Sequence, residues 1–346
     1  MKTEILTCER IEKGERPWTL SAARILPDRR PRFSVQILYD FSDRKERWFS
    51  LMQFIAACGG VALIHDLRGR GASAPTEEPK NPEDAVPSLG YDCETLFDDI
   101  DEVYARFGDP FGEPIPDPAE NRLLPRFLFG HGLGALMAAR YASRRSIAVD
   151  GLILSGLPHR EAFASVRLFG LGFLGLFAGD SYVPNGVNRR YLTRFDGEFV
   201  PEETSDGRFL WMTNDPAVRE AFAADPVCCR PYLLADFKDL LRLTRDVWRP
   251  STWDRVRDVP VLLMAGQNDP VSGGDDGMIR AGKFLSDMGF SQVDEKMYRG
   301  MRHDIFMDEG REAPFADLCR FALTHLPGKT AVQKQDPAGG ENGEAE

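Results

Sequence analysis

Short apolar runs alternate with segments of helical periodicity along most of the chain. Continuous apolar runs are typical of parallel strands that are covered on both faces. Apolar residues spaced three and four apart predict amphipathic helices. Strands are predicted at 32–39, 61–65, 126–130, 151–155, 259–264 and 293–298, and helices at 48–58, 93–107, 135–142 and 313–326. This alternation predicts an α/β fold with a doubly wound, mostly parallel sheet.

The alternation stops between residues 157 and 253. Aromatic residues cluster irregularly there, and we interpret the segment as a mostly helical cap inserted into the sheet domain; additional core helix is the alternative. Residues 1–156 and 254–327 would then form the two parts of the core domain. Residues 328–346 are polar and are predicted to be a disordered tail.

Three glycines at alternate positions join the strand predicted at 126–130 to the helix that follows it. The segment reads Gly130-His131-Gly132-Leu133-Gly134. In the nucleophile elbow, G-x-S-x-G, a sharp turn between strand and helix exposes a serine. Gly132 stands where that serine would be. Glycine accepts the strained backbone of such a turn readily, but it brings no nucleophile.

Two further polar segments follow strands near the end of the chain. Asp269 comes after the strand predicted at 259–264, and His303 comes after the one predicted at 293–298. Reactive groups in open α/β sheets gather beyond the carboxyl ends of the strands. Nucleophile, acid and histidine occur in this order in α/β-hydrolases, where the histidine removes a proton and the acid orients it.

Several segments together resemble the monoacylglycerol lipase and lysophospholipase branch of the α/β-hydrolases, also called serine aminopeptidase-like. The resemblance covers residues 34–326, including Asp-Leu-Arg-Gly-Arg-Gly-Ala-Ser at 66–73, Asp-Pro-Val at 269–271 and Arg-His-Asp at 302–304. Cap segments 211–216 and 225–228 are similar to that family's W-L-x-x-D and D-P-x-C.

The resemblance implies an α/β-hydrolase fold and hydrolysis of carboxylic esters without a metal or other cofactor. The expected partner is a small acyl ester or a lipid-like ligand. Gly132 takes the nucleophile position, Asp269 and His303 complete the catalytic set, and the backbone amides of Phe41 and Leu133 would bind the oxyanion.

Two departures from the family bear on this chemistry. Gly132 replaces the nucleophilic serine, and Tyr39-Asp40 replaces the His-Gly of the oxyanion segment. Unless its side chain turns away, Asp40 places a carboxylate near the charge that an oxyanion hole stabilises. The second departure favours natural loss of serine chemistry over an engineered inactivation.

Three hypotheses therefore stay open. The protein is a hydrolase impaired in serine chemistry, in which His303 activates water, or it is a pseudoenzyme that binds a small acyl or lipid-like ligand. The third possibility is a scaffold whose acidic surface binds a protein. His131 is interpreted as a packing residue. Arg68 and Arg70 have two interpretations, an anion site or a tight turn.

Composition narrows the partners further. A formal net charge of −11 disfavours nucleic acid, which selects basic surfaces. The most apolar run, 166–178, is shorter than the roughly 20 residues that span a bilayer, and the N-terminus has no signal-peptide pattern. The six cysteines are scattered and the five histidines lack metal-ligand spacing. These features predict a cytoplasmic protein without an integral membrane segment or a metal site; the oligomeric state stays open.

Overall fold

A computed structural model describes residues 1–10, 18–74, 94–110, 124–145, 149–200, 207–254 and 256–326. Eight strands form one sheet in the order β1-β2-β4-β3-β5-β6-β7-β8. The strands are β1 (Lys2–Arg10), β2 (Trp18–Leu26), β3 (Phe33–Leu38), β4 (Gly60–His65), β5 (Arg126–His131), β6 (Gly151–Ser155), β7 (Val261–Gly266) and β8 (Val293–Tyr298). All neighbouring strands among β3 to β8 are parallel, which confirms the predicted, mostly parallel sheet.

Helices cover both faces of this sheet. They are α1 (Phe49–Ala57), α2 (Glu94–Phe107), α3 (Leu133–Arg145), α4 (Ala164–Ala178), α5 (Asn185–Leu192), α6 (Pro216–Ala224), α7 (Leu234–Val247), α8 (Gly274–Asp287) and α9 (Glu312–Thr324). Alternate residues of a strand enter opposite cores. In β5, Phe129 packs with side chains of α1 and α9, whereas Leu128 packs with those of α2, α3 and α8.

An N-terminal hairpin, which the sequence analysis did not predict, extends the sheet. β1 pairs antiparallel with β2, and β2 pairs antiparallel with β4, with Ala22 opposite His65. Cys8 and Leu20 are buried in a small core against Tyr104 of α2. The hairpin carries polar residues between its apolar ones, so its stability comes from pairing with a distant strand.

Four helices, α4 to α7, lie between β6 and β7, in the segment where the cap is predicted. The boundaries of the cap and core, 157–253 and 254–327, remain predictions, and the tail at 328–346 lies outside the described residues. α7 packs against α3 through Phe237, Leu240 and Leu243, which belong to the main core.

α4 differs from the other helices, because its apolar side chains face solvent. Phe169 is 79% exposed and Leu176 is 80% exposed, and Phe163, Val166, Phe173 and Phe177 are also exposed. Additional core helix was the alternative interpretation of this segment, and these exposed phenylalanines do not fit it. Periodicity alone does not reveal whether an apolar helix face has a partner. Trp211 and Phe222, in contrast, are buried.

Among the described residues, no helix combines the length and the apolar character that crossing a bilayer requires.

Candidate active site at the elbow

The turn between β5 and α3 has the geometry of an elbow. β5 ends at His131 and α3 begins at Leu133, so Gly132 alone makes the turn, with φ at +57°. Its amide donates to the carbonyl of Ser155 on the neighbouring strand at 2.9 Å. A Cβ on Gly134 would lie 2.2 Å from the carbonyl oxygen of Leu38, so glycine is required for α3 to approach β3. The backbone is therefore built for the turn whether or not a nucleophile is present.

The carboxylate of Asp40 lies in the space beside Gly132. A Cβ built on Gly132 would be 2.7 Å from Oδ2 of Asp40 and 3.0 Å from Nε2 of His303. The Leu133 amide donates to the same Oδ2 at 3.3 Å, and the Ser42 amide donates to Oδ1 at 3.2 Å. Asp40 therefore does not turn away from the elbow. It accepts a hydrogen bond from one of the two amides expected to bind the oxyanion.

His303 and Asp269 form a buried pair opposite Asp40. Nδ1 of His303 is 3.0 Å from Oδ1 of Asp269, which also accepts the amide of Val271 at 2.9 Å. Burial opposes charge on the imidazole, but the charge of Asp269 and the hydrogen bond to it outweigh burial and raise the pKa of His303. Burial likewise opposes ionisation of Asp269, but His303 overcomes it and lowers the pKa of that carboxyl.

The other ring nitrogen of His303 is directed at the elbow. Nε2 is buried and has no hydrogen-bond partner among the described residues. If Nδ1 carries the proton donated to Asp269, Nε2 is a free base. A base held by a carboxylate in this way removes a proton from whatever occupies the space beside Gly132.

His131 packs against His303 and forms a hydrogen bond with Asp304. Its Nε2 lies 3.1 Å from Oδ1 of Asp304, its Nδ1 lies 3.1 Å from Oγ of Ser155, and its ring centroid is 4.6 Å from that of His303. Burial opposes ionisation of Asp304, yet the hydrogen bond from His131 helps to lower the pKa of Asp304 to about 2. Its hydrogen bonds and its tilted ring contact with His303 give His131 a position in the network that its sequence context did not reveal.

Ligand atoms of His131, His303 and Asp304 lie within 4.8 Å of one another, which raises the question of a metal ion. Asp304 is already bonded to His131, and Nη2 of Arg47 is 3.5 Å from its second oxygen. A cation at this place would meet the guanidinium charge and a committed carboxylate. The group is better described as a hydrogen-bond network than as a metal site.

A pocket opens above these residues, and its far wall is largely apolar. The segment between β6 and β7 contributes Tyr191, Leu192, Arg194, Phe209, Trp211, Met212 and Phe222, and the rest of the chain contributes Asp40, Ser42, Asp43, Arg47, His131, His303 and Asp304. Tyr191 and Arg194 were not predicted as site residues, because the irregular cap sequence gives no signal for them.

The remaining predicted residues lie close by. Phe41 follows Asp40 and is buried, with its ring 5.8 Å from that of Tyr232. Arg68 binds both carboxylate oxygens of Asp99, and Arg70 binds Asp236 at 3.0 Å. These contacts favour the structural interpretation of the two arginines over an anion site.

Comparison with known proteins agrees with the geometry. Residues 29–310 match the family model described as serine aminopeptidase, S33. The chain belongs to this family. Gly132, Asp40, Asp269 and His303 all fall within the matched part of the S33 chain.

Three individual relatives have low sequence identity to this chain, between 18% and 22%. A monoacylglycerol lipase from Mycolicibacterium smegmatis is 22% identical over 307 residues, which cover 87% of this chain and 91% of that protein. Among solved structures, a thermostable carboxyl esterase from Bacillus coagulans in complex with glycerol has a TM-score of 0.74 at 21% identity, covering 94% and 99% of the two chains. A monoglyceride lipase variant from Saccharomyces cerevisiae has a TM-score of 0.65 at 18% identity, covering 92% and 95%. These likenesses confirm the α/β-hydrolase fold.

Proposed function

We propose that this S33-family protein hydrolyses carboxylic esters of the monoacylglycerol or lysophospholipid type, and that it does so without a serine nucleophile and with impaired efficiency. One observation carries the proposal. The buried His303–Asp269 pair is intact, and the unpartnered Nε2 of His303 is directed at the elbow. A protein that needed only the fold would have no requirement for a base held in this way.

In the proposed reaction, His303 takes a proton from a water molecule beside Gly132, and the resulting hydroxide attacks the ester carbonyl. Asp269 fixes the tautomer of His303 and stabilises the imidazolium that forms. The amides of Leu133 and Phe41 are the proposed oxyanion donors. The protonated His303 then gives its proton to the departing alkoxide.

Two features make this reaction slow. No side chain at Gly132 forms an acyl intermediate, and a site without its nucleophile retains only about 10³–10⁴-fold over water. In addition, Asp40 holds the amide of Leu133 and must release it before that amide can bind an oxyanion. The pair therefore supplies a base, whereas the oxyanion site is obstructed.

The substrate class follows from the cap. Its part of the pocket wall includes Leu192, Trp211 and Met212, which suit an acyl chain. The exposed phenylalanines of α4 add apolar surface to the segment between β6 and β7, as expected of a protein that meets lipid-like molecules. The lipase and esterase among the similar proteins support the same class.

The alternative is a pseudoenzyme that binds an acyl or lipid-like ligand, or a protein partner, without turning it over. The hydrogen bond between Asp40 and the amide of Leu133 favours it, because a carboxylate in the oxyanion site repels the charge that acyl transfer generates.

Turnover of short esters, monoacylglycerols and lysophospholipids separates the two. The proposed hydrolase loses turnover in His303→Ala and keeps it in His325→Ala, a matched change at the C-terminal end of α9 that does not line the pocket. A protein that binds these lipids but releases no fatty acid is the pseudoenzyme. Labelling of a unique serine by a fluorophosphonate would refute both.

A further inference from the structure

The two departures from the family, Gly132 and Asp40, lie next to each other at the elbow. Oδ2 of Asp40 is 2.7 Å from the point where a Cβ on Gly132 would lie, which is closer than a carbon and a carboxylate oxygen approach. A side chain at 132 therefore does not fit beside the carboxylate of Asp40 in its present position, and one of the two must shift. A carboxylate oxygen therefore lies beside the position that the family's serine side chain would take.

The surroundings of Asp40 are those of a reacting group. Its Oδ2 accepts the amide of Leu133, and the same oxygen and Nε2 of His303 flank the vacated position. Carboxylates serve as nucleophiles in covalent catalysis. His303, which has no hydrogen-bond partner at Nε2 among the described residues, is placed to act on the product of such an attack.

The chemistry of a carboxylate limits its substrates. Attack on an ordinary ester would have to expel an alkoxide, which is far more basic than a carboxylate, and would leave a reactive anhydride. Attack on a strained, saturated carbon instead forms a stable ester. We propose that Asp40 is a nucleophile and that the site hydrolyses epoxides to diols through an ester on Asp40.

In the first step one bond forms and one bond breaks. An oxygen of Asp40 attacks a ring carbon of the epoxide and the carbon–oxygen bond of the ring breaks, leaving an alkoxide that needs a proton. Tyr191, on the cap side of the pocket, is the proton donor. Burial, opposed by Arg194 and aided by the charge of Asp40, raises the pKa of Tyr191 to about 12, so the phenol is protonated at neutral pH.

The second step uses the His303–Asp269 pair. His303 removes a proton from water, and the hydroxide attacks the carbonyl carbon of the Asp40 ester. The amide of Leu133 already contacts this carboxyl group, so it stabilises the oxyanion that forms. The acyl–oxygen bond breaks and the diol oxygen takes the proton from His303. The carboxylic acid left at Asp40 loses its proton to solvent, which regenerates the carboxylate, and the phenolate of Tyr191 regains a proton from solvent. In sum, one epoxide and one water give one diol.

This inference shares His303 with the proposed function but does not need an ester substrate. Isotopic labelling of the native protein tests it directly. With excess protein over 1,2-epoxyhexane or styrene oxide in oxygen-18 water, the first turnover gives an unlabelled diol, and one oxygen-18 atom appears in the peptide that contains Asp40. Label in the first diol overturns the inference, because it means that water attacked the epoxide directly.

Variants give a second readout. His303→Gln is expected to accumulate an adduct on Asp40 that intact-protein mass spectrometry detects. Asp40→Asn, which keeps the shape and the acceptor oxygen, loses both adduct and diol, whereas Asp287→Asn at the exposed end of α8 keeps diol formation. An adduct on another residue, or diol formation by Asp40→Asn at the native rate, overturns the inference.

The same preparation, assayed with esters, separates this inference from the proposed function. A protein that hydrolyses esters and leaves both epoxides untouched refutes the epoxide chemistry alone. A protein that hydrates the epoxides and leaves every ester untouched refutes only the ester chemistry.

Discussion

A methyl group at residue 132 should reveal where the carboxylate of Asp40 lies. Gly132→Ala places a side chain at φ +57°, a conformation that costs roughly 1–3 kcal/mol for a residue other than glycine. It also places a carbon 2.7 Å from Oδ2 of Asp40. Overpacking of this kind costs typically about 1–3 kcal/mol. We expect both costs in the single variant.

Asp40→Ala removes the second cost and leaves the first. A double-mutant cycle therefore isolates the contact: Gly132→Ala should destabilise the protein less in the Asp40→Ala background, by about 0.5–3 kcal/mol. Urea unfolding followed by circular dichroism measures each free energy of unfolding. Gly300→Ala, at φ +75° and with no atom within 4 Å of the position of its Cβ, is the control for backbone strain alone, and its effect should not depend on Asp40 in this way. Additivity of Gly132→Ala and Asp40→Ala within about 0.3 kcal/mol would mean that the carboxylate does not occupy the space beside residue 132.

Three other predictions concern activity, pH and the cap. Gly132→Ser alone should give little ester turnover, whereas Gly132→Ser with Asp40→Gly should give more, because the Leu133 amide becomes available; equal turnover in initial-rate assays would contradict an obstructed oxyanion site. Burial opposes ionisation of Asp304, but His131 and Arg47 lower the pKa of Asp304 to about 2, below its unfolded value of about 3.9. The ionised Asp304 therefore stabilises the folded protein above a pH of roughly 3.9, and this contribution is lost as the pH falls toward about 2. Urea titrations of native protein should show this loss, and Asp304→Asn should lack that component; identical pH profiles would refute it. Phe169→Ser and Phe177→Ser should change the free energy of unfolding by less than about 0.5 kcal/mol, because both side chains are exposed, yet weaken binding to lysophospholipid micelles measured by sedimentation; unchanged binding would remove the lipid role of α4.

The sheet could be predicted because its buried strands are continuous apolar runs. β3, β4 and β6 have every residue buried, and such runs give a strong signal. β1 and β2 gave none, since they form an edge hairpin held by antiparallel pairing to β4. α8 was also not predicted, although Met278, Ala281 and Leu285 lie on one buried face. Two glycines within the helix, Gly277 and Gly282, weaken its local pattern.

The candidate site could likewise be predicted from the sequence only in part. The order of Gly132, Asp269 and His303 along the chain predicted that they would converge, since each follows a parallel strand. The direction of the Asp40 side chain could not be predicted, because it depends on two amides, those of Leu133 and Ser42, in separate segments. Tyr191 comes from a helix whose position depends on the packing of the whole cap.

The short distance between Asp40 and the missing Cβ of residue 132 makes the two positions interdependent in any sequence that adopts this backbone. An aspartate after β3 in this conformation favours glycine at the elbow, and a side chain at the elbow requires the aspartate to move or to be replaced. Either substitution by itself therefore carries a cost in this geometry. Among chains of this family, the two residues should change together, and an elbow glycine should be accompanied by a carboxylate at the end of β3.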